Sequence, residues 1–106
     1  MTTWRCLANV LRVVDGDTFA ADFDLGWGNW MHEVKGRPNR VRILGLDTPE
    51  RGLPGYAEAS AELAALLGPQ VWVTSQRLDS FGRTLADVTT LEGVDVRGSM
   101  RQEWWV

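Results

Sequence analysis

The sequence predicts a mainly β (α+β) domain in which five strands close into a small barrel, with one helix between the third and fourth strands and a short helical segment near the end. Three observations carry this. Apolar and polar residues alternate in short runs, the strongest turn signals fall between those runs, and a single Ala-, Glu- and Leu-rich stretch replaces the alternation with helical spacing. At 106 residues the length suits one hydrophobic core, and 44% hydrophobic with 24% charged residues is the composition of a folded globular protein.

The first strand is read over residues 6–14, rich in Leu and Val. Asp15-Gly16-Asp17 ends it, because Asp-Gly favours a tight turn, and residues 18–23 resume as the second strand of a hairpin. Residues 25–39 hold Gly26, Gly28, Gly36, Pro38, Trp27 and Trp30 and read as a long hairpin arm or loop. The third strand covers residues 40–46, with Val41, Ile43 and Leu46 available to a core and Arg42 facing elsewhere. Pro49 stops it, since proline restricts the residue before it and has no N–H for a ladder. Over residues 56–67 the period changes: Tyr56, Ser60, Leu63 and Leu67 fall near one helical face, Glu58 and Glu62 near another, and Gly68-Pro69 supplies the stop. Residues 71–76 and 84–89 alternate as two further strands around a turn at 79–82. Residues 94–102 read as a short helix weakened by Gly98, ahead of Trp104-Trp105. Three strands, a helix and two strands is the order of an OB-fold.

Composition narrows the setting. The one cysteine, Cys6, cannot form an internal disulfide and reads as a small core residue, while Arg5, Asn9 and Arg12 interrupt any signal-peptide core near the start. No run approaches the length of a membrane span, so the expected setting is intracellular (cytoplasmic), with no membrane partner. A net charge of −3 argues weakly against nucleic acid, yet 10 of the 11 basic residues are arginine, whose planar fork suits phosphate oxygens.

Four carboxylates lie where strands break: Asp15 and Asp17 in the first turn, Asp47 and Glu50 after the third strand. A lone turn carboxylate ordinarily bonds nearby backbone or faces water. If the first three strands are neighbours, however, the first turn and the end of the third strand meet at one rim. Asp17 and Asp47 then offer two hard oxygen ligands, suited to Ca²⁺ or Mg²⁺ rather than to a soft metal, and without a cation they would raise one another's pKa. Arg42, five residues before Asp47, and Arg83, in the turn between the last two strands, add guanidinium groups. A metal, two guanidiniums and a spare carboxylate are the parts of a phosphodiester hydrolase, with Glu50 placed to deprotonate water.

Three blocks, Val13-Val14-Asp15-Gly16-Asp17-Thr18, Val41-Arg42-Ile43-Leu44-Gly45-Leu46-Asp47-Thr48-Pro49-Glu50 and Phe81-Gly82-Arg83-Thr84-Leu85-Ala86, resemble in order the signature blocks of the staphylococcal nuclease (thermonuclease) family. The resemblance implies one such OB-fold domain over residues 1–106, ending before the family's further C-terminal helix, and Ca²⁺-dependent hydrolysis of DNA and/or RNA to 3′-phosphate ends. It also implies roles: Asp17 and Asp47 as metal carboxylates, Thr48 as a metal ligand through its backbone carbonyl, Glu50 as base or water-positioning group, Arg42 and Arg83 as the phosphate clamp, and Asp15 behind them as a turn or supporting residue. Phe81 stands where many relatives have tyrosine. The arm is longer than expected and the loop from Arg51 to Gly55 is short.

Trp27 and Trp30 suit stacking on unpaired bases, with single strands the preferred substrate; packing within the arm, or a homodimer contact shared with Trp104 and Trp105, explains them as well. His32, the lone histidine, reads as a surface residue. The alternative to an enzyme is a non-catalytic module that binds nucleic acid or protein, and a third reading is a partner-binding assembly or toxin-like role. Retention of every site carboxylate and arginine favours the nuclease.

Overall fold

The computed structural model describes residues 4–35, 39–78 and 83–106. In chain order it comprises β1 (Trp4–Asp15), β2 (Thr18–Gly26), β3 (Asn29–Met31), β4 (Arg40–Ile43), α1 (Tyr56–Leu67), β5 (Gln70–Leu78), β6 (Thr84–Thr90), α2 (Val96–Ser99) and a 3₁₀ turn at Gln102–Trp104. Five strands close on themselves in the order β1-β5-β6-β4-β2 and back to β1, and β3 hangs on the outer half of β2. All pairings are antiparallel except β4 with β6. The expected OB-type barrel is present, with its helix where the sequence placed it.

Closure depends on the length and curvature of β1. Its first half pairs with β5, Cys6 opposite Val73, and its second half with β2, Val13 opposite Phe19. Register breaks at Val10/Arg12 and Val13/Asp15 let this strand bend between its two partners. Alternation then sends Phe19, Ala21 and Phe23 of β2, Val41 and Ile43 of β4, Val71 and Val73 of β5, and Ala86 and Val88 of β6 into a shared core. Helix α1 closes one end with Ala59, Leu63 and Leu67. The Tyr56 hydroxyl donates to the Val14 carbonyl at 2.7 Å, which ties the first turn of the helix to the end of β1.

Four details differ from the sequence reading. The buried stripe of α1 is Ala59, Leu63 and Leu67, while Tyr56 and Ser60 flank it half-buried. The third barrel strand stops at Ile43, because Gly45 at φ +81° turns the chain before Leu46. The arm holds a further strand: Trp27 (φ +58°) and Gly28 (φ +75°) make a two-residue turn between paired Gly26 and Asn29, the left-handed geometry that matches strand twist. The helical segment near the end divides into α2, where the Asp95 carboxylate accepts the Gly98 N–H at 3.1 Å, and the separate 3₁₀ turn. Gly36 and Pro38, the turn at 79–82 and its Phe81-Gly82 lie outside the described residues. No helix among the described residues is long and apolar enough to cross a membrane.

Cys6 is the core residue it was read to be, 5% exposed. Burial, and secondarily the nearby Asp24 charge, pushes its thiol up to about 11. The thiol therefore stays protonated through neutral pH, and the folded protein at pH 8 is expected to react with a disulfide reagent at least tenfold more slowly than the urea-unfolded chain, followed by absorbance.

Candidate active site

Asp15 pairs with Thr18 across the two-residue turn Gly16-Asp17, where β1 becomes β2. Only glycine fits at the first of these positions: a Cβ on Gly16 would stand 2.5 Å from the Ala59 Cβ and 2.9 Å from the Thr48 Oγ1. The turn thus packs directly on α1 and on the segment that follows β4. Asp17, next in the chain, is buried at 6% exposure. Its Oδ1 accepts from the Thr18 hydroxyl at 2.9 Å, and its Oδ2 accepts from the Thr48 N–H at 3.3 Å and from Arg42 Nη2 at 3.5 Å. The Asp17 carbonyl also accepts the Ile43 N–H at 2.8 Å. A buried carboxylate requires such donors, so the turn, β4 and Thr48 are obliged to meet.

Arg42 sits opposite Thr18 on β4, on the face turned away from Val41 and Ile43. Besides Asp17, Nη2 donates to the Leu46 carbonyl at 3.4 Å and lies 3.9 Å from Asp47 Oδ1. One guanidinium therefore stands between the two carboxylates that the sequence singled out. Asp47 differs from Asp17 in environment, with its side chain 68% exposed against 8%. Glu50 is exposed in the turn beyond Pro49. Asp15 is held above the ordinary carboxylate range, first by burial, then by the Asp17 charge and less by Glu50, with Arg51 and Arg40 opposing. Those couplings place Glu50 and Arg51 on the Asp15 side of the cluster.

Arg83 directly precedes β6, two residues before Leu85, which pairs with Arg42. Arg42 thus lies on β4, and Arg83 at the entry to the adjacent parallel strand β6. Trp27 and Trp30 stand elsewhere. Thr18 begins β2 at the cluster and Gly26 ends it at the arm, about 25 Å away at the usual strand rise. Trp27 is fully exposed at the arm's tip, and Trp30 stacks on His32 with centroids 6.0 Å apart and planes 10° from parallel. His32 is a surface residue as expected, its side chain 63% exposed and its Nδ1 3.0 Å from the Asp22 carboxylate. Trp104 is 7% exposed in the protein's own core, and Trp105 is half-buried, its indole N–H donating to the Arg97 carbonyl at 2.8 Å.

Among the described residues no three of His, Cys, Asp and Glu gather in a group able to hold a metal ion. What does converge is an oxygen-only pair, Asp17 and Asp47, within reach of one nitrogen of Arg42. That donor chemistry fits a hard cation that keeps several of its waters, and does not fit zinc or copper. The sequence did not indicate Arg97 and Trp104, which reach the segment ending at Asp47 through the Arg97 Nε donor and the Trp104 carbonyl and carry no local motif.

No protein-family model matches the chain. Over 88 residues, 74% of the chain, it is 35% identical to a thermonuclease of Staphylococcus intermedius, and the match spans 46% of that protein. Together with the closed barrel, this likeness gives the chain a staphylococcal-nuclease-like OB-fold. The tight seat of Gly16 gives a direct check on the site's architecture. Gly16→Ala is expected to lose about 1–3 kcal/mol in urea denaturation through overpacking against Ala59 and Thr48.

Proposed function

We propose that this protein belongs to the thermonuclease family and hydrolyses phosphodiester bonds of DNA or RNA with Ca²⁺, leaving 3′-phosphate ends. The observation that supports it best is the convergence of Arg42 with Asp17 and Asp47 at the rim where Glu50 is open to solvent. Asp17 and Asp47, with the Thr48 carbonyl, would hold the cation. Bound there, Ca²⁺ supplies charge that neutralises a phosphate and orients water.

The protein's own groups account for the remaining steps. Asp17 is fixed by Thr18 and Thr48, so its free lone pairs are aimed before any ligand arrives. Arg42, which lies within reach of both carboxylates, would offer its fork to the equatorial phosphate oxygens, and Arg83 would join it from the residue preceding β6. Glu50 accepts the proton of the attacking water. The new P–O bond forms as the bond from phosphorus to the 5′ oxygen breaks, the departing 5′ oxygen takes a proton from solvent water, and the phosphate stays on the 3′ side. Asp15, at the end of β1 where it pairs with Thr18, supports the turn that carries Asp17.

Trp27 and Trp30 serve as stacking residues for an unpaired stretch of the same substrate, each base contact being worth about 1–3 kcal/mol. A fully exposed tryptophan in left-handed backbone has no packing role of its own.

Two outcomes test the proposal. With Ca²⁺, the wild-type protein should degrade a labelled single-stranded oligonucleotide, and Glu50→Gln should lose at least 10²-fold in kcat with its circular dichroism unchanged; absence of wild-type cleavage across divalent metals and both nucleic acids rejects the enzyme. Trp27→Ala should raise KM several-fold on oligonucleotides long enough to span the roughly 25 Å from arm to cluster, and leave dinucleotide cleavage unaltered.

A further inference from the structure

Several contacts from the chain between α2 and Val106 end on the three residues Gly45, Leu46 and Asp47. The Gly45 carbonyl accepts from Arg97 Nε at 3.0 Å and from the Val106 N–H at 3.0 Å. Leu46 and Trp105 form an antiparallel bridge, and the Asp47 N–H donates to the Trp104 carbonyl at 2.8 Å. Arg97 is itself held, because Trp105 Nε1 donates to its carbonyl at 2.8 Å and its guanidinium lies 4.8 Å from the centroid of the Trp105 ring. The fit leaves no slack: a Cβ on Gly45 would run into the Arg97 side chain.

We infer that Arg97 and Trp105 are positioning residues for the site, fixing the Asp47 carboxylate and the Arg42 guanidinium through the backbone of residues 45–47. Asp47 is mostly exposed, so packing of its own side chain cannot place it. Its location is inherited from the backbone beneath, which turns at a glycine, the residue with the greatest conformational freedom. Arg42 is steered by the same device, since the Leu46 carbonyl that Nη2 donates to lies in the pinned segment. A reactive group displaced by about 1 Å typically costs on the order of 10²-fold in rate, so a brace at this point acts on chemistry without touching substrate. The effect on cleavage rests on the proposed nuclease activity. The effect on the position of Asp47 does not.

The test uses the full chain with Trp105→Phe, which keeps a ring under the guanidinium and removes the indole N–H, and Arg97→Met, which keeps the stem and removes the Nε donor. Amide hydrogen exchange is read at Asp47 and at barrel residues such as Val73, calorimetry reads Ca²⁺ binding without substrate, and kinetics read kcat and KM. Expected is exchange at Asp47 faster by about tenfold or more with Val73 unchanged, Ca²⁺ affinity lower by about tenfold, and a loss in kcat partly recovered by excess Ca²⁺. Wild-type exchange at Asp47 in both variants overturns the inference, and so does equal acceleration at Asp47 and Val73, which marks a general loss of stability. If the wild-type chain neither binds Ca²⁺ nor cuts nucleic acid, the nuclease reading fails, and exchange at Asp47 alone still decides whether Arg97 and Trp105 hold it.

Discussion

A carboxylate taken out of water is expensive, and the rim of this barrel is organised around making one tolerable. Asp17 reaches that state only because three donors from three parts of the chain arrive together: the adjacent Thr18 hydroxyl, the Thr48 N–H and the Arg42 guanidinium. Remove the β1–β2 turn from its seat on α1, or shift β4 by one residue, and at least one donor is lost. The site and the fold are therefore the same constraint seen at two scales. The hairpin register that pairs Thr18 with Arg42 is the register that fills the core with Phe19 and Val41.

From that point the division of labour follows. The buried aspartate is rigid and supplies a fixed anchor, whereas Asp47 and Glu50 face solvent and can meet a ligand. Arg42 connects the two environments through a single nitrogen, Nη2, which lies 3.5 Å from the buried Asp17 carboxylate and 3.9 Å from the exposed Asp47 carboxylate. The exposed groups have to be placed from behind, by backbone contacts with Arg97, Trp104 and Val106. The arm is separate in construction: it extends β2 beyond the barrel, holds Asp22 to His32 and Arg12 to Glu33 on its surface, and ends in a solvent-facing tryptophan. Its ion pairs run to Arg12 of β1 and Asp22 of β2, not to Asp17 or Asp47.

Much of this was legible in the residues, for identifiable reasons. The helix at Tyr56–Leu67 had period, composition and a Gly-Pro stop all in agreement. The Asp-Gly turn carried its own chemistry, and Arg42 with Asp47 lay close enough in sequence for one strand to present both. What escaped was set by tertiary contact. The Ala59 stripe on α1 was hidden because alanine scores weakly in any apolar pattern, and it is the contact with Gly16 that selects it. The early end of β4 depends on the left-handed Gly45, which a run of Ile, Leu and Leu conceals. Strand β3 requires a tryptophan at positive φ, where propensity would place glycine or asparagine. The brace from Arg97 and Trp104 joins residues about fifty positions apart and ends on main-chain atoms of the braced segment, for which a sequence holds no signal.

The proposed function rests on Asp17 and Asp47 forming one cation site beside Arg42. Calorimetric titration of Ca²⁺ into the wild-type chain and into Asp17→Asn and Asp47→Asn, each checked for retained circular dichroism, tests it most directly. One bound ion per chain is expected in the wild type and none in either variant. No binding by the wild type, or binding that survives both substitutions, would contradict it.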